Sequence, residues 1–128
     1  MLKHSKQRDA ILVNLQGRYD HPNADMILAS IREEIPNISL GTVYRNLALL
    51  AETGAILKIG PDENGKERYD GHIHPHSHFF CKKCGQIHDV GEIFDARSIE
   101  KQLQFRILEA TTTLKGICPA CLQNKNEI

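Results

Sequence analysis

The chain has 128 residues with 16 Lys+Arg and 16 Asp+Glu, so its formal net charge is zero. Hydrophobic residues make up 41% and charged residues 25%, which is ordinary globular usage and excludes collagen-like, low-complexity and disordered chains. No apolar run is long enough to span a bilayer, and Met1–Lys6 has no signal-peptide core, so a cytoplasmic protein is expected. The balanced charge excludes a strongly basic nucleic-acid coat, while a DNA binder with local positive charge stays open.

Ser5 is placed to cap a helix over residues 6–16, with Ala10, Ile11, Leu12 and Leu15 on its apolar face and Gly17 at its end. His21-Pro22-Asn23-Ala24-Asp25 opens a second helix carrying Ile27, Leu28 and Ile31, bounded by Pro36. Ser39 caps a third, with Val43, Leu47 and Leu50 at helical spacing and Gly54 closing it. Strand-like runs follow at residues 55–59 and 66–70, joined by Gly60-Pro61-Asp62-Glu63-Asn64-Gly65, which is hairpin turn chemistry. Three helices and a hairpin read as a winged helix-turn-helix domain over residues 1–70. A linker is expected at 71–75. A strand at 86–90, a helix capped by Asp95 through about residue 104 and β character over 105–115 then fill a small α/β dimerisation domain, 76–128. The fold class is thus α/β (α+β).

The third helix is the candidate DNA reader. Val43, Leu47 and Leu50 face inward, leaving Gly41, Thr42, Tyr44, Arg45 and Asn46 outward. Arg pairs with guanine, Asn with adenine, and Tyr or Thr with a thymine methyl or a phosphate. No acidic residue lies between Ser39 and Ala51. Lys3, His4, Lys6 and Arg8 offer phosphate contacts. Against this, residues 1–70 carry nine basic and ten acidic side chains, and winged helices also bind proteins.

The four cysteines form two pairs, Cys81-Lys82-Lys83-Cys84 and Cys118-Pro119-Ala120-Cys121, separated by 33 residues. Two such knuckles supply the thiolates of a tetrahedral structural zinc site. Disulfides or a redox pair are the alternatives, disfavoured in the cytosol. His72, His74, His76 and His78 alternate, so an extended backbone would place them on one side. With Asp70, Asp89 and His21 nearby in sequence or at the domain junction, imidazole and carboxylate would suit Fe(II), Mn(II) and similar ions. Plain solvent exposure or adventitious metal affinity is the bland alternative. No further base or nucleophile accompanies the cluster, so an enzyme is not expected.

Taken together, His21-Pro22-x-Ala24-Asp25, Ser39-x-x-Thr42-Val43-Tyr44-Arg45-Asn46-Leu47, Arg68-Tyr69-Asp70, His76-x-His78 before Cys81-x-x-Cys84-Gly85, and Cys118-x-x-Cys121 resemble the ferric uptake regulator (Fur) family. The resemblance implies a homodimeric, metal-dependent repressor on palindromic operator DNA, with half-sites about one helical turn (~34 Å) apart. It implies structural zinc on Cys81, Cys84, Cys118 and Cys121, and regulatory Fe(II) or Mn(II) on His21, Asp70, His76, His78 and Asp89. Tyr44 corresponds to a base-contacting tyrosine, with Arg45 beside it. Asp at both 70 and 89 is similar to the peroxide-responsive branch of the family, where bound Fe(II) reacts with peroxide and a histidine ligand is oxidised. His21 and His76 would be the targets, and no small-molecule substrate beyond metal and peroxide is implied. The same scaffold sensing metal supply alone is the rival reading.

Overall fold

The computed structural model describes residues 5–108 and 110–123; the expected phosphate contacts Lys3 and His4 lie outside them. The chain divides into two compact units between Ile73 and His74, within the stretch read from sequence as a linker.

The first unit holds α1 (Lys6–Gln16), α2 (Ala24–Ile31), α3 (Leu40–Glu52), β1 (Leu57–Pro61) and β2 (Glu67–Asp70). Each helix starts on a side-chain cap that satisfies an otherwise orphaned N–H. Ser5 Oγ accepts from Arg8 N at 3.2 Å, Asn23 Oδ1 from Met26 N at 2.9 Å, and Ser39 Oγ from Thr42 N at 3.1 Å. The apolar stripes meet in one core of Ile11, Leu15, Ile27, Ile31, Ile38, Val43, Leu47, Leu50, Ile56 and Tyr69. Full burial of each such aliphatic side chain contributes about 1.5–3 kcal/mol.

β1 and β2 form an antiparallel hairpin. It differs from the sequence reading: Gly60 and Pro61 belong to β1, and the turn starts at Asp62. The cause is a bulge between Lys58 and Gly60. The extra residue is Ile59; Gly60 after it, at φ +103°, resumes the pairing opposite Arg68, and its N–H donates to Glu67 Oε1 at 2.6 Å. Beyond it, Asp62 Oδ1 accepts from Asn64 N and Lys66 N at 2.8 and 3.1 Å, closing the turn.

The second unit holds β3 (Ser77–Cys81), β4 (Ile87–Val90), α4 (Ala96–Leu103), β5 (Thr113–Gly116) and the short α5 (Pro119–Leu122). The sheet order is β4-β3-β5, with β4 antiparallel and β5 parallel to β3. β3 is the central strand, and apart from the half-buried Phe79 its residues are buried. Of the β character expected over 105–115, only residues 113–115 are in a strand, as the start of β5; none of the described residues 105–112 is. α4 ends on Gln104 in a left-handed C-cap. Among the described residues no helix is long and apolar enough to cross a membrane.

Candidate functional site

β3 ends at Cys81, and the first knuckle turns back into β4 through Gly85, whose φ of +76° favours glycine. The second knuckle starts two residues after β5 and enters α5 with Pro119 at its first position. Parallel pairing of β3 with β5 therefore brings both knuckles to the same end of the sheet. The four sulfurs lie within 4.8 Å of one another. Cys81 Sγ is 3.8 Å from Cys121 Sγ, and Cys84 Sγ is 3.8 Å from Cys118 Sγ. That is nearly twice a disulfide length, and it equals the edge of a tetrahedron with about 2.3 Å metal–sulfur bonds.

The four cysteines are free, so no disulfide is present. The backbone N–H groups of Cys84, Cys118 and Lys83 all point at Cys81 Sγ at 3.4 Å, and outweigh the opposing effect of burial to lower its thiol to about 5. Burial and the neighbouring sulfurs push Cys121 up to about 12. Such a set holds four thiolates comfortably only around a cation, and zinc fits it.

The histidines and carboxylates form a group in each unit. In the first, His21 Nε2 lies 3.4 Å from Asp70 Oδ2, with both side chains buried. In the second, His76 Nε2 and His78 Nε2 lie 3.2 and 3.4 Å from Asp89 Oδ1. His78 and Asp89 face each other across the β3–β4 ladder, and His76 stands two residues before His78, with ring centroids 4.5 Å apart. Donor atoms about 3 Å apart are spaced like neighbours around a single ion with bonds near 2.1 Å. His76 Nδ1 donates to the His74 carbonyl at 2.6 Å; that tautomer leaves Nε2 with a lone pair toward Asp89. Imidazole with carboxylate suits iron or manganese.

The remaining histidines are placed otherwise. His72 stacks on Tyr19, with centroids 4.4 Å apart, and its Nε2 sits 3.1 Å from the Arg18 carbonyl. It packs within the first unit and is no candidate ligand. His88 alternates with Asp89 and lies opposite Phe79.

On α3, Tyr44 and Arg45 are exposed. Arg45 Nη2 donates to Thr42 Oγ1 at 3.1 Å. Thr42 and Asn46 are half-buried, and Asn46 Nδ2 donates to the Thr42 carbonyl at 3.0 Å. Asn46 therefore supports its own helix rather than presenting its amide freely, unlike the outward position read from sequence. Lys6 is exposed and Arg8 half-buried at the start of α1.

Residues 1–115 match the Ferric uptake regulator family. This chain belongs to that family. It is 35% identical over 133 residues to the Bacillus subtilis ferric uptake regulation protein, covering 98% of this chain and 89% of that protein. It is 31% identical over 120 residues to the peroxide-responsive repressor PerR of Staphylococcus aureus, covering 90% and 79%. Among solved structures it resembles the Campylobacter jejuni peroxide stress regulator, with TM-score 0.75, 34% identity and 90% and 88% of the two chains covered. It also resembles the Helicobacter pylori regulator Fur, described with three functional metal binding sites, with TM-score 0.75, 26% identity and 94% and 83% coverage. Members of the Fur family are dimeric, metal-responsive transcription regulators that bind operator DNA.

Two features had no role in the sequence reading. Arg68 stood inside a family motif with no contact assigned, and Gly71 had none at all. Neither carries a sequence signal of its own, because each acts on backbone atoms of residues about fifty positions away.

Proposed function

We propose that this chain is a cytoplasmic, peroxide-sensing repressor of the Fur family, with structural zinc on Cys81, Cys84, Cys118 and Cys121. His21 and Asp70 from the first unit, with His76, His78 and Asp89 from the second, jointly hold one Fe(II) or Mn(II). The observation that carries this reading is that each unit presents only part of a ligand set, His21–Asp70 in one and His76–His78–Asp89 in the other. An ion that needs both parts holds the two units in a fixed relation, and in a dimer that relation sets the spacing of the two α3 helices on palindromic half-sites.

In this reading Tyr44, Arg45 and Thr42 read base edges, Asn46 braces them, and Lys6 and Arg8 contact phosphates. Bound Fe(II) would supply the reducing chemistry that delivers a peroxide oxygen to a ligand imidazole. The chain's part is to hold the rings of His21 and His76 beside that centre by their Nε2 atoms. Net, the C–H bond between the two ring nitrogens becomes C–O, and the second peroxide oxygen leaves as water. An oxidised ring is a poorer ligand, so the two parts separate and the operator is released.

Asp at both 70 and 89, together with the likeness to peroxide regulators, supports this over simple metal sensing. The test is anaerobic loading of the zinc dimer with Fe(II) or Mn(II), addition of about one equivalent of hydrogen peroxide, and peptide mass spectrometry. One added oxygen on His21 or His76 in the iron sample alone is expected. No histidine oxidation with iron bound would leave a metal-supply sensor.

A further inference from the structure

His21 has φ +51°, in the left-handed region, although it is not glycine and precedes a proline. Such a backbone persists only where its surroundings over-determine it. Here they do so from one strand. In β2, Arg68 Nε donates to the His21 carbonyl and Arg68 Nη2 to the Asp20 carbonyl at 3.2 Å. Tyr69 N donates to the Pro22 carbonyl at 2.9 Å. Three consecutive carbonyls are therefore held by two consecutive residues. Asp70, next along β2, meets the His21 ring.

The third guanidinium nitrogen points the other way. Arg68 Nη1 donates to Asp62 Oδ2 at 3.2 Å. The second oxygen of that carboxylate closes the hairpin turn through the N–H groups of Asn64 and Lys66. Both side chains are nearly buried, at 13% and 12% exposure. One planar guanidinium thus spans the loop that carries His21 and the turn at the tip of the wing.

We propose that Arg68 is the positioning residue for His21 and, through Asp62, the link between that ligand and the wing turn. Its rigid fork fits two adjacent carbonyls and a carboxylate in a way that lysine cannot reproduce. Fixing His21 then orders the wing turn; the proposal includes operator DNA lying against that turn beside α3, so that by linkage DNA strengthens the hold on the ion. The link to metal rests on the reading of His21 as a ligand; the hold on the His21 backbone does not.

The test uses the full-length zinc-loaded chain. His21 ¹³Cα and ¹³Cβ shifts report its backbone, and free Mn(II) measured by electron paramagnetic resonance reports affinity, with and without operator DNA. Arg68→Met is expected to move the His21 shifts out of the left-handed range and weaken Mn(II) binding about 10- to 100-fold, with zinc content retained. Arg68→Lys should restore part of both and serves in its place if the Met variant does not fold. Asp62→Asn should leave the His21 shifts and intrinsic Mn(II) affinity near the parent but remove the gain on adding DNA.

Unchanged His21 shifts in a folded Arg68 variant would overturn the positioning role. A DNA-induced gain that survives in Asp62→Asn would overturn the link. His21→Ala separates the two readings. If it binds Mn(II) as tightly as the parent while Arg68→Met still moves the His21 shifts, His21 is not a ligand and the backbone role stands.

Discussion

Gly71 packs against the end of α1 so closely that a Cβ added to it would lie 2.6 Å from the Leu15 carbonyl carbon and 2.7 Å from its oxygen. Those atoms are backbone, so they cannot swing away as a flexible side chain would. Gly71→Ala should destabilise the first unit by about 1–3 kcal/mol, the usual cost of overpacking. Thermal unfolding followed by far-ultraviolet circular dichroism checks it, and an unchanged midpoint would mean that α1 shifts freely at this point.

The cysteine cluster makes metal part of the fold. Cys118→Ser should release zinc and unfold the second unit, because the thiolates of β3 and of the knuckle after β5 would lose their common partner. Hydrogen exchange should show β3 and β4 amides losing protection while the apolar core of α1–α3 keeps it. Retained protection in β3 would show that the sheet stands without the ion.

Arg45 and Lys6 should separate base reading from phosphate attraction. Arg45→Ala is expected to cost about 1–3 kcal/mol on a specific operator and to relax preference at one base position. Lys6→Ala should weaken all sequences alike and reduce the salt slope by about one. Anisotropy titrations at several salt concentrations distinguish the two; equal loss on specific and random DNA for Arg45→Ala would remove it from the base-reading set.

Asp62 makes the wing turn acid-sensitive. Burial raises its pKa, but the N–H groups of Lys66 and Asn64 and the Arg68 guanidinium outweigh that and hold it below the ordinary 3.8. A carboxyl lowered in the folded state stabilises it fully above the unfolded value, and the contribution fades as pH falls through the lower folded value. The wing turn should therefore hold down to about pH 3.8 and loosen below it. A carboxyl carbon titration of Asp62 by NMR should give a midpoint under 3.8; a midpoint above it would show that burial dominates.

In the proposed reading, peroxide chemistry turns on Asp89. Asp89→Glu lengthens the carboxylate by one methylene on the exposed side of β4, opposite His78. Metal binding should persist, while histidine oxidation at equal iron loading should fall. Equal oxygen incorporation in parent and variant, read by mass spectrometry, would assign the reactivity elsewhere.

The three helices were legible because caps and apolar spacing agree: Ser5, Asn23 and Ser39 each cap the helix that follows. The candidate metal ligands stood out in the sequence because cysteine pairs and alternating histidines are rare by chance. β3 was not, because His76, His78 and Cys81 read as ligands, and a strand buried along most of its length shows no polar alternation. The region 105–112 misled in the opposite direction: its Phe, Ile and Thr residues favour strands, yet none of the described residues there is in one. Arg68 escaped because its partners are main-chain carbonyls, which every residue has.

The cysteine knuckles also change what the intervening chain must do. The connection between β4 and β5 has both ends fixed by pairing with β3, and the sulfur cluster clamps the sheet beyond them. The entropy of closing such an excursion rises only with the logarithm of its length. A change in the length of this connection at α4 should therefore cost the rest of the unit little.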